Sequence, residues 1–349
     1  MAAACGGGGG APMLAQTCVA PAAQDQPAAR LSQTGCVDPT SPTQLAASVI
    51  PYEVNSPLWS DGADKQRGLA LPAGAKIHVK DCRAGAAECQ GVAHGDADDG
   101  KWVLPVGTVM VKSFLFDGKR VETRLFVHFD AATWVGYSYQ WDEAQTDATI
   151  VADGGAEIMF DTGARTVDWH YPARMDCMGC HTPTGGSTLG PETAQLNRVV
   201  SGTNQIDHLK ALGVFETPPA MPYKAALAAP TETAGTSEES ARSYLHANCA
   251  FCHRPDDANF ADIDLRHDVA LADTNTCGVT PEKGNQGTIG ALLVAPGMPS
   301  MSVMVLRMTA PPADANGNHG RMPKLASYVV DQDAVGLISD WITSIASCP

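Results

Sequence analysis

"TSEESARSYLHANCAFCHRP" (residues 236–255) joins a helix signature to a five-residue chemical pattern. Thr236 and Glu239 have the spacing of a capping box, and they predict a helix that runs directly into Cys249-x-x-Cys252-His253. The same pattern occurs in "MDCMGCHTP" (175–183), at Cys177, Cys180 and His181. With 11 Cys and 10 His in 349 residues, chance would supply about 0.01 such patterns. Two of them point to a shared chemistry.

Cys-x-x-Cys-His is the attachment pattern of a c-type haem, in which two thiols reach the vinyl groups of one macrocycle and the histidine gives iron an axial nitrogen. One helical turn must deliver all three, and the spacing does so. Cys177, Cys180, Cys249 and Cys252 are therefore candidate thioether donors, with His181 and His253 as candidate proximal ligands. Two covalently bound haem c are the expected cofactors. A zinc site built from all four of these cysteines is the rival chemistry, and it leaves both histidines without a purpose.

The sixth ligand sets what an iron does. In "GRMPKLASYVVDQDAVGLISDWI", Met322-Pro323 precedes the last helix and resembles the distal methionine loop of class I cytochromes c. His/Met ligation favours electron transfer over substrate binding. Met298, Met301, Met304 and Met308 recur at three- and four-residue spacing and read as a core face. For the first haem three distal candidates stay open: His208 in "NQIDHLKAL", Met221 in "AMPYK" and His170 just before the motif.

The other cysteines read as disulfides by proximity: Cys18–Cys36, Cys82–Cys89 across "CRAGAAEC", and Cys277–Cys348. Such bridges persist in an oxidising compartment, so the chain is expected to be exported. Cys5 in "MAAACGGGGGAP" has the small-residue context of a lipid-carrying cysteine, although a basic start and a long apolar run do not precede it. No apolar run approaches the length of a membrane span, so a lipid anchor is the only membrane link expected. The net charge of −15 argues against nucleic acid or an anionic membrane surface as partner.

Composition divides the chain. Residues 1–45 are rich in Ala, Gly, Pro, Gln, Ser and Thr and read as a flexible lipoprotein-type tether. From 46 to 170, "AKIHVKD", "TVMVKSFLF", "RVETRLFVHF", "TWVGYSYQ" and "AEIMF" predict short strands, and Asp117-Gly118 predicts a tight hairpin. This segment is expected to form a jelly-roll-like β-sandwich. "ETAQLNRVV" and "NQIDHLKALGVF" predict short helices in a first haem segment, 171–232. A second, 233–349, ends in a helix whose Ala334, Leu337, Ile338, Trp341, Ile342 and Ile345 share one face. The expected class is α+β multidomain. "GDADDG" (95–100) and "DANGNHG" (314–320) read as solvated turns, since neither has the spacing of a calcium loop.

Taken in order, "SPLWSDGADKQRGLALPAGAKI", "WVLPVGTVMVKSF", "ETRLFVH", "WDEAQTDAT", "CMGCH", "LGPETAQLNR", "NQIDHLKALGVF" and "YLHANCAFCH" resemble a family of exported bacterial dihaem c-type cytochromes. In that family a β-rich domain precedes two haem-binding segments. The likeness covers residues 50 to 349 and implies haem at both motifs, Met322 as a distal ligand, and Pro191 in "LGP" supporting a proximal histidine. The expected function is electron relay between donor and acceptor redox proteins, in the periplasm or on the cell surface. Two alternatives stand beside it. One is a dihaem peroxidase-like enzyme with an open first haem, and the other is a cell-surface binding or assembly module carrying haems for extracellular electron exchange.

Overall fold

The computed structural model describes residues 17–81, 100–230, 237–255, 262–311, 320–324 and 327–349. Cys5, the Cys82–Cys89 bridge, Thr236 of the capping box, residues 95–99 and residues 314–319 lie outside them.

The N-terminal part is β-rich and the helices follow it. In chain order the first strands are β1 (Val37–Asp38), β2 (Ser41–Leu45), β3 (Ile50–Pro51), β4 (Asp64–Ala70), β5 (His78–Val79) and β6 (Trp102–Val103). The longest come next: β7 (Val109–Phe116), β8 (Lys119–Asp130) and β9 (Thr133–Trp141), then β10 (Ala148–Ile150), β11 (Ala156–Asp161) and β12 (Thr166–Tyr171). Six of them form one antiparallel sheet in the order β10-β9-β8-β7-β4-β3. The turn between β7 and β8 is the Asp117-Gly118 pair expected from the sequence, with φ of 51° and 79°, the left-handed values that suit a two-residue hairpin. From β7 to β10 consecutive strands are neighbours in a meander, where the sequence suggested jelly-roll order, while β5 and β6 pair outside this sheet between β4 and β7 in the chain.

Alternation along β7–β9 separates two faces. One face buries Val109, Val111, Leu125, Val127, Val135, Tyr137, Tyr139 and Trp141. Residues 17–45 cover it. The expected tether is ordered there because the buried Cys18–Cys36 disulfide staples it. The Tyr137 and Tyr139 hydroxyls also donate to the Gln24 and Ala28 carbonyls, at 2.9 and 3.0 Å. The opposite face is mixed. It carries Leu69, Met110, Phe126 and Trp134 at one end, Phe114 under the β11–β12 hairpin at the other, and charged residues between.

The helical part contains α1 (Thr193–Leu196), a short pair β13 (Val199–Val200) and β14 (Thr203–Asn204), then α2 (Gln205–Ala211), α3 (Ser237–Asn248), α4 (Val303–Thr309) and α5 (Gln332–Ser344). Its core joins Tyr244 and Leu245 of α3, Val305 of α4, and Ala334, Ile338, Trp341 and Ile342 of α5. Cys277–Cys348 ties the end of the chain to this core. The 52–61 segment docks it on the sheet: the Ser56 hydroxyl donates to Ser243 O at 3.1 Å, and the Trp59 amide donates to Asn248 Oδ1 at 2.6 Å. No helix among the described residues is long and apolar enough to cross a membrane.

Candidate functional site

Each Cys-x-x-Cys-His pattern forms one helical turn. In the second, α3 continues into the motif through Cys249 N–H to Leu245 O at 2.9 Å, and His253 N–H closes the turn on Cys249 O at 2.9 Å. In the first, the 3-10 helix Arg174–Gly179 leads in, and His181 N–H donates to Cys177 O at 3.0 Å. The local bonding is therefore repeated, with both thiols and the imidazole leaving one turn.

The second motif lines a cavity of about 900 Å³. Cys249, Cys252 and His253 share its wall with Met304, Met308 and Met322. Met304 and Met308 belong to the methionine series that the sequence suggested as a core face. The loop holding Met322 is fixed by its neighbour: the Arg321 guanidinium donates to Ala310 O, Ser327 O and Tyr328 O at 2.8, 2.7 and 2.6 Å. Gly179 and Cys180 of the first motif reach the same cavity, and the Cys252 thiol lies 3.9 Å from Gly179 O. The two motifs are neighbours in space.

The first motif lies on the mixed face of the sheet. A Cβ at Gly136 would come within 2.5 Å of Cys177 Sγ, so this strand position must be glycine for the thiol to settle there. The ring of Phe126, opposite Gly136 on β8, lies 4.1 Å from the ring of His181. His181 Nδ1 is 2.7 Å from Ser187 O; a carbonyl only accepts, so Nδ1 carries the proton and Nε2 keeps its lone pair. Burial, reinforced by the nearby Lys112 and Arg124 charges, pushes this imidazole down to about 4 despite the Ser187 bond, which favours the cation. It is a neutral nitrogen donor at neutral pH.

None of the four motif cysteines is in a disulfide, whereas Cys18, Cys36, Cys277 and Cys348 are paired. Burial pushes the Cys249 thiol up to about 12 and Cys180 up to about 11, each helped by its partner cysteine, and it raises Cys177 as well. These are protonated thiols, unlike the thiolates that hold zinc.

The three distal candidates for the first motif lie apart from the cavity. His208 is on the exposed side of α2, and Met221 is 67% exposed. His170 on β12 stands opposite Glu157 on β11, its Nδ1 3.5 Å from the carboxylate and its ring against Tyr328. The sequence reading missed Gly136, Phe126 and the cations beside them. A glycine inside the strand "TWVGYSYQ" was the one signal available, since it marks a close approach.

A covalent macrocycle asks for two cysteines and an axial nitrogen that leave one turn together. Two cysteines, an imidazole and a thioether share the wall of one large cavity at the second motif. At the first, Cys180 reaches the same cavity and the Ser187 bond orients His181.

No family model, curated protein or solved structure matches this chain. The resemblance to the dihaem cytochrome family is corrected accordingly. No family model takes the chain in, and among the described residues no group of three or more His, Cys, Asp or Glu gathers as a metal site. That likeness rested on short stretches taken in order, and short stretches recur on unrelated backbones. The same finding removes the four-cysteine zinc site.

Proposed function

We propose that the chain holds a covalent haem at each Cys-x-x-Cys-His turn and relays single electrons between a donor and an acceptor protein. The carrying observation is the second turn, which delivers Cys249, Cys252 and His253 to the wall of an apolar cavity that Met322 also lines. A porphyrin brings four nitrogens of its own, so such a site asks the chain for two thiols and one or two axial donors, with no need for a cluster of three. Cys177, Cys180, Cys249 and Cys252 would hold the two groups through thioethers, each S–H adding across a vinyl C=C with nothing released. When bound, the haem iron supplies a one-electron couple. The chain's part is to orient it, exclude water and set its charge surroundings. On this reading residues 171–232 and 233–349 are the two haem-bearing segments and the β-rich part is their scaffold. The two disulfides support an exported, oxidising location, with redox proteins as partners.

The test is the mass and visible spectrum of full-length protein secreted from cells that attach c-type haem. Two haems per chain, one with a methionine–iron charge-transfer band that Met322→Ala abolishes, are expected. A mass equal to the chain alone would sink the proposal. A second reading, an enzyme with an open first iron, draws on the surface positions of His208 and Met221. It requires a high-spin ferric signal that cyanide converts to low spin.

A further inference from the structure

The mixed face of the sheet carries a row of cations. Arg67 on β4 stands opposite Lys112 on β7, and Lys112 stands opposite Arg124 on β8. Like charges placed directly across strands repel, and burial strengthens the repulsion by removing water. Arg67 is only 8% exposed, and Lys112 and Arg124 are half-buried. Two of the three have carboxylates. Arg124 Nε and its terminal NH2 donate to the two oxygens of the fully buried Glu122, at 2.7 and 2.8 Å, and Arg67 is 3.6 Å from Glu53. Glu122 is committed further, because Trp169 Nε1 donates to it at 2.9 Å. Lys112 has no ion pair or hydrogen bond among the described residues, and its ammonium sits 5.2 Å from the Phe114 ring centroid. Lys65, two residues before Arg67 on the same face, adds a further charge. Burial, compounded by Arg67, Lys65 and Arg124, depresses the affinity of Lys112 for its proton well below normal, so the arrangement is unfavourable as it stands.

A row of this kind is stable when an anion completes it. We infer that Arg67, Lys112 and Arg124 form a carboxylate-binding row beside the first motif, with Lys112 as its open position. The location narrows the source. Two residues on from Arg124 on the same face, Phe126 lays its ring 4.1 Å from that of His181, and Gly136 opposite Phe126 meets the Cys177 sulfur. A carboxylate on a group attached at Cys177 and Cys180 would therefore reach it, as would a free small anion entering from solvent. The first source rests on the haem proposed above. The second does not.

Two measurements on full-length protein separate the outcomes. In holoprotein, Lys112→Met removes one positive charge next to the first haem. If an attached carboxylate occupies the row, the reduction potential of that haem shifts, Lys112→Arg restores it, and the potential of the second haem moves less. In chain produced without haem attachment, inorganic phosphate and succinate are titrated while Tm is followed. A saturable rise of roughly 2–4 °C in wild type but not in Lys112→Met identifies a free anion. In the same haem-free chain, Lys112→Met by itself raises Tm, because it removes repulsion that the Phe114 ring and the committed Glu122 offset only in part, and this also shows that the variant folds. An unchanged potential in holoprotein, together with no anion-dependent Tm shift, overturns the inference. If no haem is attached at all, the haem proposal fails and the titration alone decides the row.

Discussion

At Gly136 the backbone of β9 and the thiol of Cys177 compete for one small volume. A methyl group there would sit 2.5 Å from the sulfur, against an ordinary contact of about 3.5–4 Å. Gly136→Ala should therefore destabilise the chain by about 1–3 kcal/mol, the usual range for overpacking. Removing the sulfur should recover most of that loss, so Cys177→Ala in the Gly136→Ala background is expected to be more stable than the two single effects add up to. Urea denaturation of the four proteins measures the coupling, and strict additivity would show that the contact has no energetic weight. Single residues were unevenly legible in the sequence. The two motifs stand out because their chemistry is local: five consecutive residues form one turn and bond to themselves. Gly136, Phe126 and Lys112 do not stand out, because each matters only through what the sheet register brings beside it.

At the scale of elements the legible part is the part with strong periodicity. The last helix was expected from six apolar positions. The structure buries Ala334, Ile338, Trp341 and Ile342 fully, and Leu337 and Ile345 in part. The long strands β7, β8 and β9 were likewise visible in their alternation. Strand β4, "DKQRGLA", was not, because Lys65 and Arg67 occupy positions where a half-buried strand ordinarily shows apolar residues. The strand that sequence could not reveal is the one that starts the cation row. The opposite surface of α5 offers a prediction. Gly336 lies in the helix interior, exposed, with nothing within 4 Å of where its Cβ would be. Gly336→Ala should stabilise the protein by about 0.5–1 kcal/mol through backbone entropy. Ile338→Ala, two residues away and fully buried, should cost about 2–5 kcal/mol. Chemical denaturation of the pair checks both signs, and a destabilised Gly336→Ala would mean that the space beside Gly336 is filled in solution.

At the scale of the whole molecule, polar ties across the chain hold the two motif segments side by side. The Glu192 carboxylate, just before α1, accepts from His246 Nε2 of α3 at 2.9 Å, and His267 N–H donates to the other ring nitrogen at 3.1 Å. Beyond the second motif, Asp268 pairs with Lys224, which follows α2, and with its neighbour His267. Burial alone would raise the Asp268 carboxyl, but the His267 hydrogen bond and the Lys224 ammonium outweigh it and hold the group at about 2. A carboxylate whose affinity for protons is lowered by folding stabilises the folded state fully above its unfolded value near 3.8. That stability is lost as pH falls towards about 2. With about a third of the side chain exposed, solvent screening keeps its contribution at neutral pH to about 1 kcal/mol. Asp268→Asn should therefore be less stable than wild type at pH 7, and the gap should close between pH 4 and pH 2. Other lowered carboxylates, Glu192 among them, titrate in both proteins alike. The difference between the two denaturation profiles therefore isolates Asp268. Parallel profiles through that window would mean the Lys224 tie does not form in solution, and that the two motif segments are held together by other ties, the Glu192–His246 bond and the Arg254 bond to Thr184 O among them.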